Sequence, residues 1–465
     1  MQDFNTISRV YFIGIGGIGM SALAKYYQHN KAVVSGYDKT PTSLTREMEQ
    51  SGINIHYEDN VNLLDKDAQL VIYTPAISKD HKEYNYYLHH NYEMMKRSVV
   101  LGEITKGTFS ICIGGTHGKT TISTMIAHIL TDAGFGCNAF LGGISVNYDT
   151  NFWSSQNNVS VAEADEFDRS FLQLSPDVAL ISSMDADHLD IYGTKENMEE
   201  SFADFARRLK PGGLLVTKYG LNGKYFSAPN HIRYSLQNEM ADAYAANIVM
   251  RNGSYEFDIY TKNWVLDRVK LQMGGMHNIE NAVAAIVIAR YLKVDNEKIK
   301  KAVENFKGVR RRFEYIIPPR DGNIVAPIIF IDDYAHHPQE LEALVKSSKA
   351  LFNLRKCTII FQPHLFSRTK DLAKDFAQSL DLADNIILLP IYPARELPIP
   401  GITSQVILDE MKNDNVSIMS RQELLAYISA NYKNQVSDSA NGELLITAGA
   451  GDVDQLVEPI KNILT

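Results

Sequence analysis

A strand-like apolar run that ends in a glycine turn and continues as a helix former occurs twice in the first third of this 465-residue chain. No other feature narrows the possible folds as much. The first copy is "FIGIGGIGMSALA", Phe12–Ala24, in which the run Val10–Ile13 leads into Gly14-x-Gly16-x-x-Gly19 and then Ser21-Ala22-Leu23-Ala24. Glycines at such a turn let the backbone approach a pyrophosphate, and the helix start offers unsatisfied N–H groups and a positive dipole end. A second apolar run, "AVVSGYD", closes on Asp38, roughly twenty residues beyond the glycines, where an acidic side chain can grip a ribose. On these residues alone the turn suits NAD or another nucleotide-linked diphosphate.

The second copy is "FSICIGGTHGKTTISTMIAHIL". Its turn, Gly114-Gly115-Thr116-His117-Gly118-Lys119-Thr120, resembles a P-loop shortened by one residue. Backbone N–H groups there would cradle the phosphates of ATP, Lys119 would reach the β and γ oxygens, and Thr120 would hold Mg²⁺. The bland alternative is a glycine turn with a solvated lysine, but a strand before it and a helix after it favour phosphate. A dehydrogenase needs no second, triphosphate-type loop. The first turn is therefore expected to carry a diphosphate other than that of NAD.

The rest of the chain repeats the pairing of a short β-branched run with an amphipathic stretch, the pattern of an α/β protein with largely parallel sheets. Strands are expected at Val10–Ile13, Ala32–Val34 and Leu70–Tyr73 in a first block, and at Val159–Ala162, Val178–Ser182 and Leu214–Thr217 in a second. The stretch "FKGVRRRFEYIIPPRDG" has the proline, glycine and charge of a linker. A third block follows with strands in "PIIFIDDYAHHP", "CTIIFQPH", "NIILLPIY" and "LLITAGAGD". Each ends in a polar turn, where open α/β sheets bind ligands.

Composition removes several classes. Lys plus Arg number 46 against 55 Asp plus Glu, a net charge of −9, which argues against nucleic acid as a partner. Three widely spaced cysteines, Cys112, Cys137 and Cys357, fit neither a disulfide framework nor a zinc site. The start "MQDFNTISRV" has no signal-peptide pattern, and no apolar run reaches the ~18 residues of a membrane span. A soluble cytoplasmic protein is expected, with no membrane partner.

The segments "YFIGIGGIGMSALA", "GGTHGKTT", "EADEFD", "DADHLD", "GMHNIENAVAA", "GVRRRFE", "DDYAHHPQE", "FQPHLFSRT" and "AGAGD" occur in this order along the chain. Together they resemble the Mur ligase family. The resemblance implies three domains: a Rossmann-like UDP-binding domain over residues 1–106, a P-loop ATPase-like central domain over 107–313, and a Rossmann-like amino-acid-binding domain over 314–465. It implies ATP and Mg²⁺ as cofactors, with Mn²⁺ as a substitute, and UDP-N-acetylmuramate as the substrate. L-alanine is the expected incoming amino acid and a ready-made tripeptide the alternative. A monomer or weak homodimer is expected.

The resemblance also assigns roles residue by residue. Gly14, Gly16, Gly17, Gly19 and Asp38 would hold UDP, and Gly114 to Thr120 the ATP phosphates. In "VAEADEFD", Glu163 would be a Mg²⁺ ligand beside Thr120, while Asp165, Glu166 and Asp168 read as a solvated acidic turn. His188 in "DADHLD" would serve the second metal, with Ser183 and Asp185 unassigned because relatives often differ there. Related ligases carry a carbamylated lysine further on; here Lys195 comes early and no lysine follows in "ENMEESFADFA". His277 and Asn281 would lie around ATP, with Asn278 between them also suited to capping a helix. Arg312 would reach the phosphates, Asp333 would reach back to ATP, and His336 would lie near the reacting groups. His364 and Arg368 match a family motif in which Leu365 replaces a frequent second arginine, so Arg368 is the main candidate for the amino-acid carboxylate. Residues so dispersed share one reaction only if domains close over the substrates, which also excludes water. A non-catalytic nucleotide-binding regulator could dispense with Glu163, His188 and Arg312, and all three are present.

Overall fold

The structure is a computed structural model and describes residues 7–185, 189–251, 253–319, 326–394 and 396–465. The chain packs as two compact units. One comprises Met1–Ala246, Ile259–Leu266 and Glu280–Val303, and the other Asn247–Asp258, Asp267–Ile279 and Glu304–Thr465. Three sheets run through the chain, of five, ten and six strands.

The five-stranded sheet is parallel throughout, in the order Asn54–His56, Val33–Tyr37, Arg9–Ile13, Leu70–Tyr73, Met94–Lys96. Arg9–Ile13 lies between the strands that follow it in either direction, so its carboxyl end is a switch point where a crevice opens. From that end the chain enters the helix Ile18–His29, whose Met20, Ala22, Leu23, Ala24 and Tyr27 are buried. Burying a leucine or methionine of this kind contributes about 1.5–3 kcal/mol, which holds the glycine turn against the sheet.

In the ten-stranded sheet the central strand Phe109–Gly114 is flanked by Val178–Ile181 and Val159–Glu163, both parallel to it. The helix Lys119–Asp132 leaves its carboxyl end with Thr120 to Leu130 buried. One antiparallel pair, Asn138–Ser145 with Thr150–Trp153, closes this edge. The expected strands of both blocks are present: Leu70–Tyr73 falls on its expected bounds, the strand expected at Ala32–Val34 is shifted at both ends to Val33–Tyr37, and each of the others differs by one residue at one end.

The six-stranded sheet is parallel apart from one edge: Glu314–Ile317 pairs antiparallel with Ile328–Asp333. This corrects the reading of "FKGVRRRFEYIIPPRDG" as a linker, because Phe313 is buried and the four residues after it are a strand. Charge and proline dominate that stretch in sequence, but "FEYII" inside it has the composition of a strand. No helix among the described residues is long and apolar enough to cross a membrane.

Candidate active site

At the carboxyl end of Phe109–Gly114 the phosphate-type loop is a fixed structure. Gly115 and Gly118 sit at φ 135° and 83°, values that glycine adopts without strain. A Cβ on Gly115 would lie 2.2 Å from Ser182 Oγ, so the neighbouring strand end presses directly on the loop. Ser183, left unassigned from sequence, ties the loop down: its Oγ accepts from the His117 N–H at 2.7 Å and shares a hydrogen bond of 2.9 Å with Thr116 Oγ1. The Asp185 N–H donates to Thr116 Oγ1 at 3.1 Å. His117 itself points outward and meets exposed Asp185 at 3.6 Å.

Lys119, the first residue of the helix, donates to the Gly115 carbonyl at 2.6 Å and to Glu166 at 2.8 Å. Glu166 is only 2% exposed, so the sequence reading of a solvated acid does not hold for it. It is the buried counter-charge of the loop lysine. Thr120 Oγ1 donates to Glu163 at 2.9 Å, and the Gly142 N–H donates to the same carboxylate at 3.0 Å. A side chain at Gly142 would push this carboxylate aside, since a Cβ would fall 2.1 Å from Glu163 Oε2. A hydroxyl and a carboxylate side by side are hard oxygen donors suited to Mg²⁺, which keeps few protein ligands and takes phosphate oxygens and water for the rest. Among the described residues no group of three or more His, Cys, Asp or Glu forms a metal cluster. His188 lies outside the described residues. Lys195 begins the helix Lys195–Arg207 as an exposed residue 3.9 Å from Glu199. Asn281 reaches the loop, with its Oδ1 3.0 Å from where a Gly118 Cβ would stand.

The first glycine turn opens on a cleft of about 320 Å³. Gly17, Gly19, Thr74 and Arg97 line one part, and Gly142, Glu163 and Asp165 another. The first glycine motif and Glu163, the carboxylate that accepts from Thr120 of the second, therefore contribute to one cleft. Gly14 and Gly16 shape the turn rather than the cleft wall: Gly14 sits at φ 88°, and the Gly16 N–H donates to Asp38 Oδ2 at 2.7 Å. Asp38 also accepts from the Thr40 N–H at 3.2 Å, so its carboxylate braces the turn.

The second unit holds its own cluster at the carboxyl ends of Ile328–Asp333 and Lys356–Phe361. Asp333 accepts from the Phe313 and Ala335 N–H groups at 2.7 and 2.8 Å, yet burial outweighs those bonds and pushes its carboxyl up to about 6. Next to it, Asp332 is pushed up to about 7 by burial, while it accepts from Thr447 at 2.5 Å. Arg311 is a structural residue: it donates to the Gly449 and Gly451 carbonyls and stacks over Tyr334 at 5.0 Å. Arg312 is exposed, and its charge bears on Asp333. His336 shares a 3.0 Å hydrogen bond with the Tyr334 carbonyl and lies 6.0 Å, ring to ring, from His364. Burial first, then Arg368 and His337, lower its affinity for a proton. His364 is lowered by burial, His336 and Arg368, and stacks on Tyr392. Arg368 Nη1 and His364 Nδ1 are buried with no hydrogen-bond partner among the described residues. Leu365 takes φ 70°, a left-handed backbone secured by its N–H on the Tyr392 carbonyl at 2.9 Å. In the same unit, His277 folds back over Gly275, where a Cβ would come within 2.5 Å of its ring.

A phosphate loop whose lysine and threonine are each met by a carboxylate, and a second nucleotide-type turn on the cleft that one of those carboxylates, Glu163, also lines, define an ATP-using α/β enzyme that works on a nucleotide-linked substrate. Family models match nearly the whole chain: the Mur ligase family catalytic domain over residues 9–108, the Mur ligase middle domain over 113–289, and the Mur ligase glutamate ligase domain over 311–451. The chain is 44% identical to the UDP-N-acetylmuramate--L-alanine ligase of Flavobacterium johnsoniae over 468 residues, covering 100% of this chain and 99% of that one. Among solved structures, the UDP-N-acetylmuramate-alanine ligase of Thermotoga maritima matches with a TM-score of 0.81 at 26% identity, covering 98% of each chain. A murein peptide ligase from Psychrobacter arcticus shares the fold, with a TM-score of 0.66 at 21% identity over 98% of this chain and 100% of that one. The chain belongs to the Mur ligase family.

Proposed function

We propose that the chain is an ATP-dependent ligase that joins L-alanine to the lactyl carboxylate of UDP-N-acetylmuramate, a step in making peptidoglycan precursors. The observation that carries this reading is the single cleft onto which both the first glycine turn and Glu163 open. That arrangement lets a UDP-sugar reach toward the phosphate loop with its carboxylate foremost.

The γ-phosphoryl group of ATP passes to a carboxylate oxygen, giving an acyl phosphate and ADP. The amine of alanine then attacks the acyl carbon, phosphate leaves, and one proton is lost from nitrogen. The first step brings two anions together, so fixed positive charge contributes most. Lys119 is placed for the phosphates once it leaves Glu166. Thr120 and Glu163 would hold Mg²⁺, which when bound supplies further neutralisation of phosphate charge. Asn281 lies against the same loop.

Gly17 and Gly19 are assigned to the UDP side of the cleft, and His277, Arg312 and Asp333 to ATP as the family pattern suggests. Arg368, with a buried donor lacking a partner, suits the carboxylate of alanine. His336, kept neutral near pH 7 by burial, is suited to take the amine's proton. The domain limits 1–106, 107–313 and 314–465 belong to the same reading. The test is phosphate release with UDP-N-acetylmuramate and ATP, offering L-Ala, L-Ser, Gly and the tripeptide in parallel. Release confined to the tripeptide, or none with any amine, overturns the assignment.

A further inference from the structure

The first glycine turn has fewer donors to offer a ligand than its sequence suggests. The Gly14 and Ile15 N–H groups both donate to the Tyr37 carbonyl, at 2.8 and 3.0 Å, and the Gly16 N–H donates to Asp38. The Gly17 N–H points back to the Gly14 carbonyl at 3.4 Å. What remains is the start of the helix Ile18–His29, whose first N–H groups have no acceptor within the helix. A helix end is worth roughly half an elementary charge, too little to balance a diphosphate.

A full positive charge stands beside that helix end. Arg97 is the first residue of the helix Arg97–Gly107, and its Nη1 lies 2.8 Å from where a Cβ on Gly19 would be. Any side chain at position 19 would displace the guanidinium, so the third glycine of the motif makes room for Arg97. Arg97 lines the cleft together with Gly17 and Gly19. Its side chain is 21% exposed, and Asp165 Oδ2 stands 3.7 Å from Nη2, beyond hydrogen-bond reach. The guanidinium is thus electrostatically tethered while its planar fork of donors is left for an oxyanion.

We infer that Arg97 binds the diphosphate of the UDP-sugar, exchanging Asp165 for phosphate oxygens when that ligand arrives. This rests on the reading of the first turn as the UDP site. Asp165 follows Glu163 by two residues, so the exchange frees a carboxylate next to the proposed Mg²⁺ ligand. UDP-sugar binding and the phosphate-transfer side of the cleft are thereby coupled through one side chain.

Calorimetric titration of wild type, Arg97→Ala, Arg97→Lys and Asp165→Asn with UDP-N-acetylmuramate and with UDP tests this. Arg97→Ala should weaken both ligands to the same degree, about ten- to a hundredfold, the scale of a lost charge-assisted hydrogen bond. Arg97→Lys should recover part of the loss, and Asp165→Asn should tighten both ligands by releasing the guanidinium. Should Arg97→Ala not fold, a loss with Arg97→Lys and a gain with Asp165→Asn carry the same inference. Unchanged affinities in the arginine variants overturn it. So does a loss confined to UDP-N-acetylmuramate, which would place Arg97 on the lactyl carboxylate. Wild type that binds neither ligand overturns the reading of the turn itself, a separate result from any effect of the variants.

Discussion

The two glycine turns of the first unit look alike in sequence and are built differently. In the loop at Gly114–Thr120 the chain supplies its own cation: Lys119 starts the helix and is met by buried Glu166. In the turn at Gly14–Gly19 the N–H groups of the first four positions are consumed internally, and the cation comes from Arg97, at the start of a helix much further along. On the proposed reading the first is a self-contained device for triphosphate. The second is a scaffold that positions a helix end and borrows its charge. A short motif therefore reports that a turn can approach phosphate, while the source of the charge decides what the turn can hold.

The largest expected effect separates the two turns outright. Lys119→Ala should lower turnover by a hundredfold or more, about the loss seen when one preorganised donor is removed. UDP-sugar affinity should be unchanged, as read by titration with UDP-N-acetylmuramate. A parallel loss of UDP-sugar binding would mean the turns are one site, and the comparison would fail.

Glu163→Ala should come next. With the carboxylate that accepts from Thr120 removed, the Mg²⁺ concentration for half-maximal phosphate release should rise by roughly tenfold or more, the scale of a disturbed metal shell. The same Mg²⁺ dependence as wild type would make Glu163 a brace for Gly142 and nothing more.

Glu166→Gln sharpens the contrast in the other direction. Glu166 holds Lys119 on the protein's own groups, so a nucleotide has to draw the lysine away. Neutralising Glu166 should tighten ADP binding several-fold while lowering stability by about 1–3 kcal/mol, because a buried charged partner is removed. ADP titration and thermal melting read the two effects. Weaker ADP binding together with the lost stability would make Glu166 part of the phosphate cradle instead.

These contrasts also show what the sequence could and could not carry. The strand Leu70–Tyr73 and the loop Gly114–Thr120 were legible because apolar period and glycine spacing are local properties. Arg97, Ser183 and Glu166 were not, because each acts on a turn on another strand, and that proximity comes from sheet order. Glu166 in particular sits among Asp165, Phe167 and Asp168, a setting that reads as solvent-facing; only the fold buries one acid of the group. Glu314–Ile317 was masked by flanking charge and proline, and its strand character depends on Ile328–Asp333 beside it. In the second unit, His336 and Arg368 were expected residue by residue, whereas the stacking of His364 on Tyr392 had no local signature.

The smallest effect is the most discriminating. From sequence, Asp38 is the residue that grips a ribose; in the structure its Oδ2 accepts the Gly16 N–H at 2.7 Å and its Oδ1 the Thr40 N–H at 3.2 Å. An asparagine keeps one accepting oxygen and the same shape, so Asp38→Asn weakens the brace without removing it. Stability should fall by about 1 kcal/mol, the worth of an ordinary hydrogen bond. UDP affinity should change by no more than about threefold, since a brace acts on the ligand only through the turn. A ribose-gripping carboxylate behaves otherwise, because losing a charged acceptor for a hydroxyl weakens binding tenfold or more on the same scale. Titration of Asp38→Asn with UDP thus decides between the two uses of an acid after the second strand. A small change keeps the first turn a scaffold with borrowed charge, and a large one returns Asp38 to the ligand and makes the two turns more alike than their hydrogen bonds show.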